Sequence, residues 1–415
     1  MGEAAFINQD VNRRAARSLS LGRFGLDYIL LGVTIALVLF GLLMVYSAGP
    51  LTAAQMGESP DFFVIRQIVW AVIGVVGIIG MLLIDYHILR RFSVIMMLVS
   101  LALLVFVEII SNPTFGAIRS LLGASVRPSE LAKLVIIIYV AVWLDAKRDV
   151  LNDITLGLLP LIGILGITAF LIIIQPDISA ALTIVVLGGI LFFLAGGEWR
   201  QIALVIVITL ILGGLLVLLY PTGQVRVTTF ISGVVDTTQA SDHIRHSFSA
   251  IISGGIFGTG IGQGSAKYIG LPVAHTDSIF AVIAEETGLI GIFLLILAYL
   301  VILWRGLHIA RNAPDNFGRL LAAGITFWIL LEAFLNIGVM VNLLPNAGNA
   351  LPFISYGGSS LLVILLGVGI LLNISRSSNQ KQEEGDKTFG TLVDLRWRDR
   401  RRGVSRVVRP TNARE

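Results

Sequence analysis

The chain has 415 residues, of which 56% are hydrophobic and 13% charged, with a formal net charge of +4 and no cysteine. Soluble domains carry about 25% charged residues, so this composition excludes an ordinary soluble protein and predicts a polytopic membrane protein. The lack of cysteine excludes a disulfide framework, a thiol nucleophile and a cysteine metal site.

Residues 1–26 are polar, carry Arg13, Arg14, Arg17 and Arg23, and lack the apolar core of a signal peptide, so they read as a cytoplasmic tail. Ten segments follow that are apolar enough to cross about 30 Å of hydrocarbon. They are 27–48, 63–84, 91–110, 129–145, 155–174, 178–196, 201–220, 279–304, 318–341 and 352–374. Gln175-Pro176-Asp177 makes the tight turn between the fifth and sixth. With the N-terminus inside, Arg90, Arg91, Lys147, Arg148, Arg200, Arg305, Arg311 and Arg319 fall on the cytoplasmic side, as does the basic C-terminal tail. The exceptions are Arg66, Arg119, Arg127, Lys133, Arg226, Arg245 and Lys267. The expected fold is therefore all-α, with residues 27–374 as one ten-helix transmembrane domain and both termini cytoplasmic. The tail 375–415, with R-W-R-D-R-R-R at 396–402, is expected to be disordered and drawn to anionic lipid headgroups, or to dock a protein.

One long outer loop, 221–278, connects the seventh and eighth spans. Within it, H-I-R-H-S-F-S-A-I-I-S (243–253) has helical spacing of apolar residues, which predicts an interfacial helix on the outer membrane surface. The glycines of G-I-F-G-T-G-I-G (255–262) follow no strand and make no nucleotide loop. No nucleic-acid-binding motif occurs.

Ionisable residues in or beside membrane spans are costly and mark function by default. Ser129 reads as an N-cap of the fourth span, with Glu130 suited to the positive helix end. Glu130 and Lys133, three apart, either neutralise each other or hold a cation for an anionic substrate. Asp177 is either a helix cap or a site acid. Glu285 and Glu286 lie about two turns into the eighth span, and Glu332 and Asn336 share a face of the ninth, where interhelical hydrogen bonding is the simpler role. Arg119 is an outer-loop cation, free to meet phosphate. Acids and bases beside apolar walls suit a substrate with a charged head and a lipid tail, and they equally suit a transporter.

Four blocks carry a family resemblance: G-A-I-R-S-L-L-G-A-S-V-R-P-S-E-L-A-K (116–133), Q-P-D-I-S-A-A-L (175–182), the run from Ser253 to Gly291 that contains H-T-D, and N-I-G-V through P-F-I-S-Y-G-G-S-S-L-L (336–362). In these the chain resembles the SEDS family, the membrane glycosyltransferases FtsW, RodA and their sporulation relatives, and the last block reads slightly closer to the FtsW and sporulation side. The resemblance implies polymerisation of lipid II into peptidoglycan strands on the outer face of the bacterial plasma membrane, beside a class B penicillin-binding protein. It implies Asp277 as the catalytic residue. It implies Lys133, Glu130, Arg119, Asp177, His275, Ser355 and Ser359 as substrate-binding residues, with His275 better suited to orienting the loop than to catalysis. No metal-ligand cluster is visible, although a divalent cation (Mg or Mn) beside the diphosphate fits the chemistry. Rival readings are a lipid II flippase and a non-catalytic scaffold for the penicillin-binding protein. The chain departs from the family pattern at Ser120, at Val273 (usually Glu), at His243 and His246 (usually Gln) and at Ala347.

Overall fold

Apolar stretches about twenty residues long satisfy their backbone groups internally, so helices are the expected outcome in a bilayer. The structure, a computed structural model, describes residues 25–110, 127–175, 177–219, 221–346 and 348–402. All regular elements among them are helical. The N-terminal arginines, Arg119, Ser120, Ala347 and the end of the C-terminal tail lie outside the described residues.

In chain order the helices are α1 (Tyr28–Ala48), α2 (Pro50–Gln55), α3 (Phe62–Leu83), α4 (His87–Ile110), α5 (Pro128–Ala146), α6 (Leu159–Ile174), α7 (Ile178–Leu194), α8 (Trp199–Leu219), α9 (Pro221–Val235), α10 (Asp242–Gly254), α11 (Ile279–Asn312), α12 (Asn316–Met340) and α13 (Gly358–Arg402). A π turn, Ile154–Leu158, leads into α6. Among the described residues, seven helices are long and apolar enough to cross a membrane, α6 counting together with its π turn, and α7 and α8 are shorter apolar helices. The fourth expected span, 129–145, coincides with α5, which carries Glu130, Lys133 and Asp145. Helical structure in α13 continues to Arg402, where a disordered tail was expected from 375. No proline interrupts 358–402, which removes the strongest helix breaker.

The chain divides into two units. One is Asp27–Ile374; the other comprises the terminal segments, where Asn379 donates to the Gly25 carbonyl at 2.7 Å. In the first unit α12 packs on α5, α7, α10 and α11, with Trp328 and Phe317 fully buried. Helices approach closely where a small residue faces a neighbour. A Cβ on Gly306 of α11 would lie 2.1 Å from Thr326 Oγ1 of α12.

Two features add to the sequence expectation. First, α10 forms where a helix was predicted, and Ile244, Ser247, Ala250 and Gly254 are buried against protein. Ser247 Oγ donates to the Met340 carbonyl at 2.9 Å. This stripe packs on α11 and α12, while Ile252 on the same helix stays exposed. Second, the eighth span is not continuous: α11 breaks at Gly288, with φ 66° and ψ −166°. A break leaves unpaired carbonyls before it and N–H groups after it. Loop 255–260 supplies both. Thr259 and Gly260 N–H donate to the Glu285 and Glu286 carbonyls at 2.9 and 3.1 Å, and Gly255 O accepts from Leu289 N–H at 3.0 Å. A Cβ on Gly288 would sit 2.4 Å from Gly258 N. The glycines of 255–262 thus serve a backbone-to-backbone approach.

The two acids beside the break anchor the same loop. Glu285 Oε1 accepts from Ser265 N–H at 2.8 Å and Ser265 Oγ at 3.0 Å. Glu286 Oε1 accepts from Lys267 Nζ at 2.7 Å and from Ser47 Oγ of α1 at 2.6 Å. Both carboxylates are buried, and this density of donors is what makes a buried charge tolerable.

Candidate functional site

Asp277 ends the outer loop, two residues before α11. The turn beneath it is built on the Val273 carbonyl, which accepts from Thr276 N–H at 3.0 Å and Ser278 N–H at 3.4 Å. Val273 itself has φ 46°. A β-branched residue in that left-handed region costs about 1–2 kcal/mol, so the turn is strained next to its carboxylate. Neighbouring elements hold it. Asn336 of α12 donates Nδ2–H to the Asp277 carbonyl at 2.9 Å and to the Asn349 carbonyl at 2.6 Å. Ser355 Oγ donates to the Thr276 carbonyl at 2.7 Å and accepts from Leu351 N–H at 2.7 Å.

His275 is buried, its ring 4.2 Å from that of Phe63 and 5.6 Å from that of Tyr356, while its carbonyl accepts from Tyr356 N–H at 2.9 Å. Among the described residues its Nδ1 has no hydrogen-bond partner. Desolvation lowers its pKa to about 4, so it stays neutral at neutral pH. That fits an orienting role. A histidine depressed in the folded state and near 6.5 when unfolded gives its full stability above pH 6.5 and loses it as pH falls toward 4. The expected loss across that window is about 3 kcal/mol. His275→Phe should flatten the dependence, as read from melting temperature between pH 7.5 and 4.5; an equally steep fall in the variant would refute the assignment.

Asp277 opens onto a cavity of about 300 Å³, which also receives Arg66, Arg127, Tyr356, Ser359 and Ser360. The Arg66 guanidinium lies 4.1 Å over the Phe62 ring, and Arg127 N–H donates to Ser359 Oγ at 3.0 Å. Asp277 is the one acidic residue lining this cavity among the described residues. Arg66 and Arg127 were not singled out as site residues from sequence. Their signal was their exclusion from the cytoplasmic positive charge. A larger cleft of about 660 Å³ between α7 and α8 is almost wholly apolar, lined by Leu182, Phe193, Trp199 and Leu210 among others, and holds no titratable group.

The other expected site residues gather at the N-terminal end of α5, one turn beyond Arg127. Pro128 occupies the first helical position and Arg127 the cap, so Ser129 is not the N-cap; its hydroxyl instead donates to Asp177 Oδ2 at 3.2 Å. Asp177 caps α7, accepting from Ala180 N–H at 3.2 Å. Lys133 is buried, bonded to Glu130 at 2.9 Å and in short contact with Glu332, which also accepts from Trp328 Nε1 at 2.7 Å. Lys133, Glu130 and Asp177 do not line the Asp277 cavity. They brace the helix whose N-cap residue, Arg127, does. The self-neutralising pair weighed from sequence is thus a triad, whose third member comes from α12. Among the described residues no group of three or more acids and histidines is arranged to hold a metal ion.

Comparison with known proteins matches residues 28–380 to the family model FTSW_RODA_SPOVE, described as "Cell cycle protein". The chain is 39% identical over 357 residues to "Probable peptidoglycan glycosyltransferase FtsW" of Geobacter sp. (strain M18), covering 85% of this chain and 97% of that one. It is 39% identical over 363 residues to "Stage V sporulation protein E" of Bacillus subtilis (strain 168), again covering 85% and 97%. Among solved structures, a chain of a peptidoglycan synthase complex that coordinates polymerization and crosslinking superposes with a TM-score of 0.70 at 25% identity, covering 86% of this chain and 99% of that one. The rod shape determining protein RodA of Thermus thermophilus shares the fold, with a TM-score of 0.63 at 24% identity and coverage of 86% and 99%.

Proposed function

Because the chain belongs to the FtsW/RodA/SpoVE family and is a peptidoglycan glycosyltransferase of the bacterial inner membrane, we propose that it polymerises lipid II into glycan strands at the outer face of that membrane. The observation that carries the reading is the shared cavity, in which one carboxylate, Asp277, faces the space that Arg66 and Arg127 also enter.

The chemistry follows from those charges. Asp277 takes the proton of the acceptor sugar hydroxyl as its oxygen attacks the donor anomeric carbon. The bond from that carbon to the prenyl diphosphate oxygen breaks in the same step. Arg66 and Arg127 stabilise the charge that develops on the departing diphosphate, with Ser359 and Ser360 as hydroxyl donors. A single displacement inverts the anomeric carbon, so an α-linked donor gives a β-linked strand. A two-step retaining route needs a second carboxylate about 5 Å away, and the described cavity wall carries Asp277 alone. One carboxylate beside two guanidinium groups does not fit a resident divalent cation, so the positive charge is supplied by arginine.

Arg119 is assigned to the same diphosphate clamp from the resemblance. Glu130, Lys133 and Asp177 hold the α5 end that presents Arg127, and His275 and Ser355 hold the turn. The apolar cleft between α7 and α8 suits the prenyl tail. The partner is a class B penicillin-binding protein, which cross-links the peptides. A flippase would need a polar path through the bundle, yet the buried cations Lys133, Lys267 and Arg305 are each paired with carboxylates.

The test is lipid II polymerisation by the purified chain with its class B partner. Arg66→Ala and Arg127→Ala should each reduce the rate by about 10²-fold. Wild-type rates in both variants, or translocation of lipid II across proteoliposomes without strand formation, would overturn the proposal.

A further inference from the structure

His243, on α10, reaches the same turn that carries Asp277. Its Nε2 lies 2.9 Å from the Ser278 hydroxyl. The hydrogen of that hydroxyl is already committed, because Ser278 Oγ donates to the Pro272 carbonyl at 2.5 Å. The oxygen therefore accepts from the ring, and Nε2 carries the proton. Ser278 is fully buried, so its hydroxyl has no water to turn to. The path His243 Nε2–H to Ser278 Oγ–H to Pro272 O closes residues 272–278 into a ring of hydrogen bonds immediately beside Asp277.

The electrostatic surroundings are specific. Burial lowers the pKa of His243, and the Asp277 carboxylate acts on it in the opposite sense. On its own helix, Asp242 is paired with Arg245. His246 faces Gly270. Across the cavity wall, Arg66 and Arg127 accompany Asp277.

We propose that His243 is a positioning residue for Asp277, fixing the turn through Ser278, and that protonation of its other nitrogen sets the acidic limb of activity. The proposal rests on the reading of Asp277 as the base. With the ring neutral, Asp277 keeps its basicity and the turn is held. When Nδ1 takes a proton at lower pH, a cation stands next to the carboxylate and weakens it as a base. The other hydrogen bond survives, because Nε2–H donates in both states.

Two near-isosteres separate the roles. A glutamine amide reaches the position of Nε2, whereas an asparagine amide reaches only that of Nδ1. In the full chain with its class B partner in proteoliposomes, His243→Gln should keep kcat within about twofold at neutral pH. It should also lose the histidine step from the acidic limb. His243→Asn should lower kcat about tenfold with KM and melting temperature unchanged. Ser278→Ala, which removes the middle of the path, should match the Asn variant. Equal kcat in the Gln and Asn variants, an unchanged acidic limb in His243→Gln, or a wild-type kcat in Ser278→Ala would each overturn the proposal. Asp277→Asn is run beside them. If it stays active, the base assignment falls; if it is inactive while the His243 pair behave alike, only the role of His243 falls.

Discussion

Asp277→Asn is expected to lower the rate of glycan polymerisation by about 10²–10⁴-fold, the range typical of a lost general base. The substitution keeps the size of the side chain and removes the basic oxygen. It should also leave the turn in place. Contacts that hold residues 272–278 from outside do not need the Asp277 carboxylate: Asn336 bonds the Asp277 carbonyl, Ser355 bonds the Thr276 carbonyl and His243 bonds the Ser278 hydroxyl. A Cβ at the left-handed Gly348 would stand 3.4 Å from Asp277 Oδ2, an ordinary contact distance, and an amide has the same volume as the carboxylate it replaces. The expected signature is therefore a fall in kcat with the melting temperature and lipid II binding preserved. A gel ladder of strands from labelled lipid II, beside a melting curve in detergent, measures both. Wild-type strand formation by a folded Asp277→Asn protein would remove Asp277 from the chemistry.

The second large effect is on folding. Lys133→Met should destabilise the protein by about 3–5 kcal/mol, because removing one partner of a buried ion pair leaves uncompensated charge. Here two carboxylates lose their cation at once, since Glu130 and Glu332 both bond Lys133 and all three are buried. Glu130 Oε2 is already without a partner among the described residues, so no reserve of donors is at hand. The loss should be reversed by adding Glu130→Gln and Glu332→Gln, which removes both charges and keeps the shapes. Thermal unfolding of the single and triple variants checks the first claim. Polymerisation by the triple variant checks a second: Lys133 does not line the Asp277 cavity, so activity should return with folding. A triple variant that folds and makes no strands would mean that Lys133 meets substrate directly.

Much of this molecule was legible without coordinates. Hydropathy and segment length depend only on neighbouring residues, and they gave the helical class and the approximate extents of the apolar helices, α11 excepted at its break. The placement of basic residues flagged Arg66 and Arg127 as exceptions, though not as partners. The periodicity of 243–253 gave α10, but not what its apolar stripe would face, because a helix that lies on lipid and one that lies on protein have the same pattern. Ser129 was misread as a cap because Pro128 fits the first helical turn equally well and shifts the cap to Arg127.

What the order of residues decided, then, is everything that local spacing can encode: an all-helical membrane protein with an acid, Asp277, at the mouth of α11. Packing decided the rest. Lys133 and Glu332 are 199 residues apart, and their pairing exists only because α5 and α12 pack together. Arg66, Arg127 and Asp277 come from three separate elements and share one cavity. The break at Gly288 requires loop 255–260 to bring its own backbone donors and acceptors to α11. For the Lys133 triad and the break at Gly288, the deciding quantity is the cost of leaving a charge or a backbone group unpaired in an apolar interior, and that cost is met by partners that proximity in sequence does not reveal.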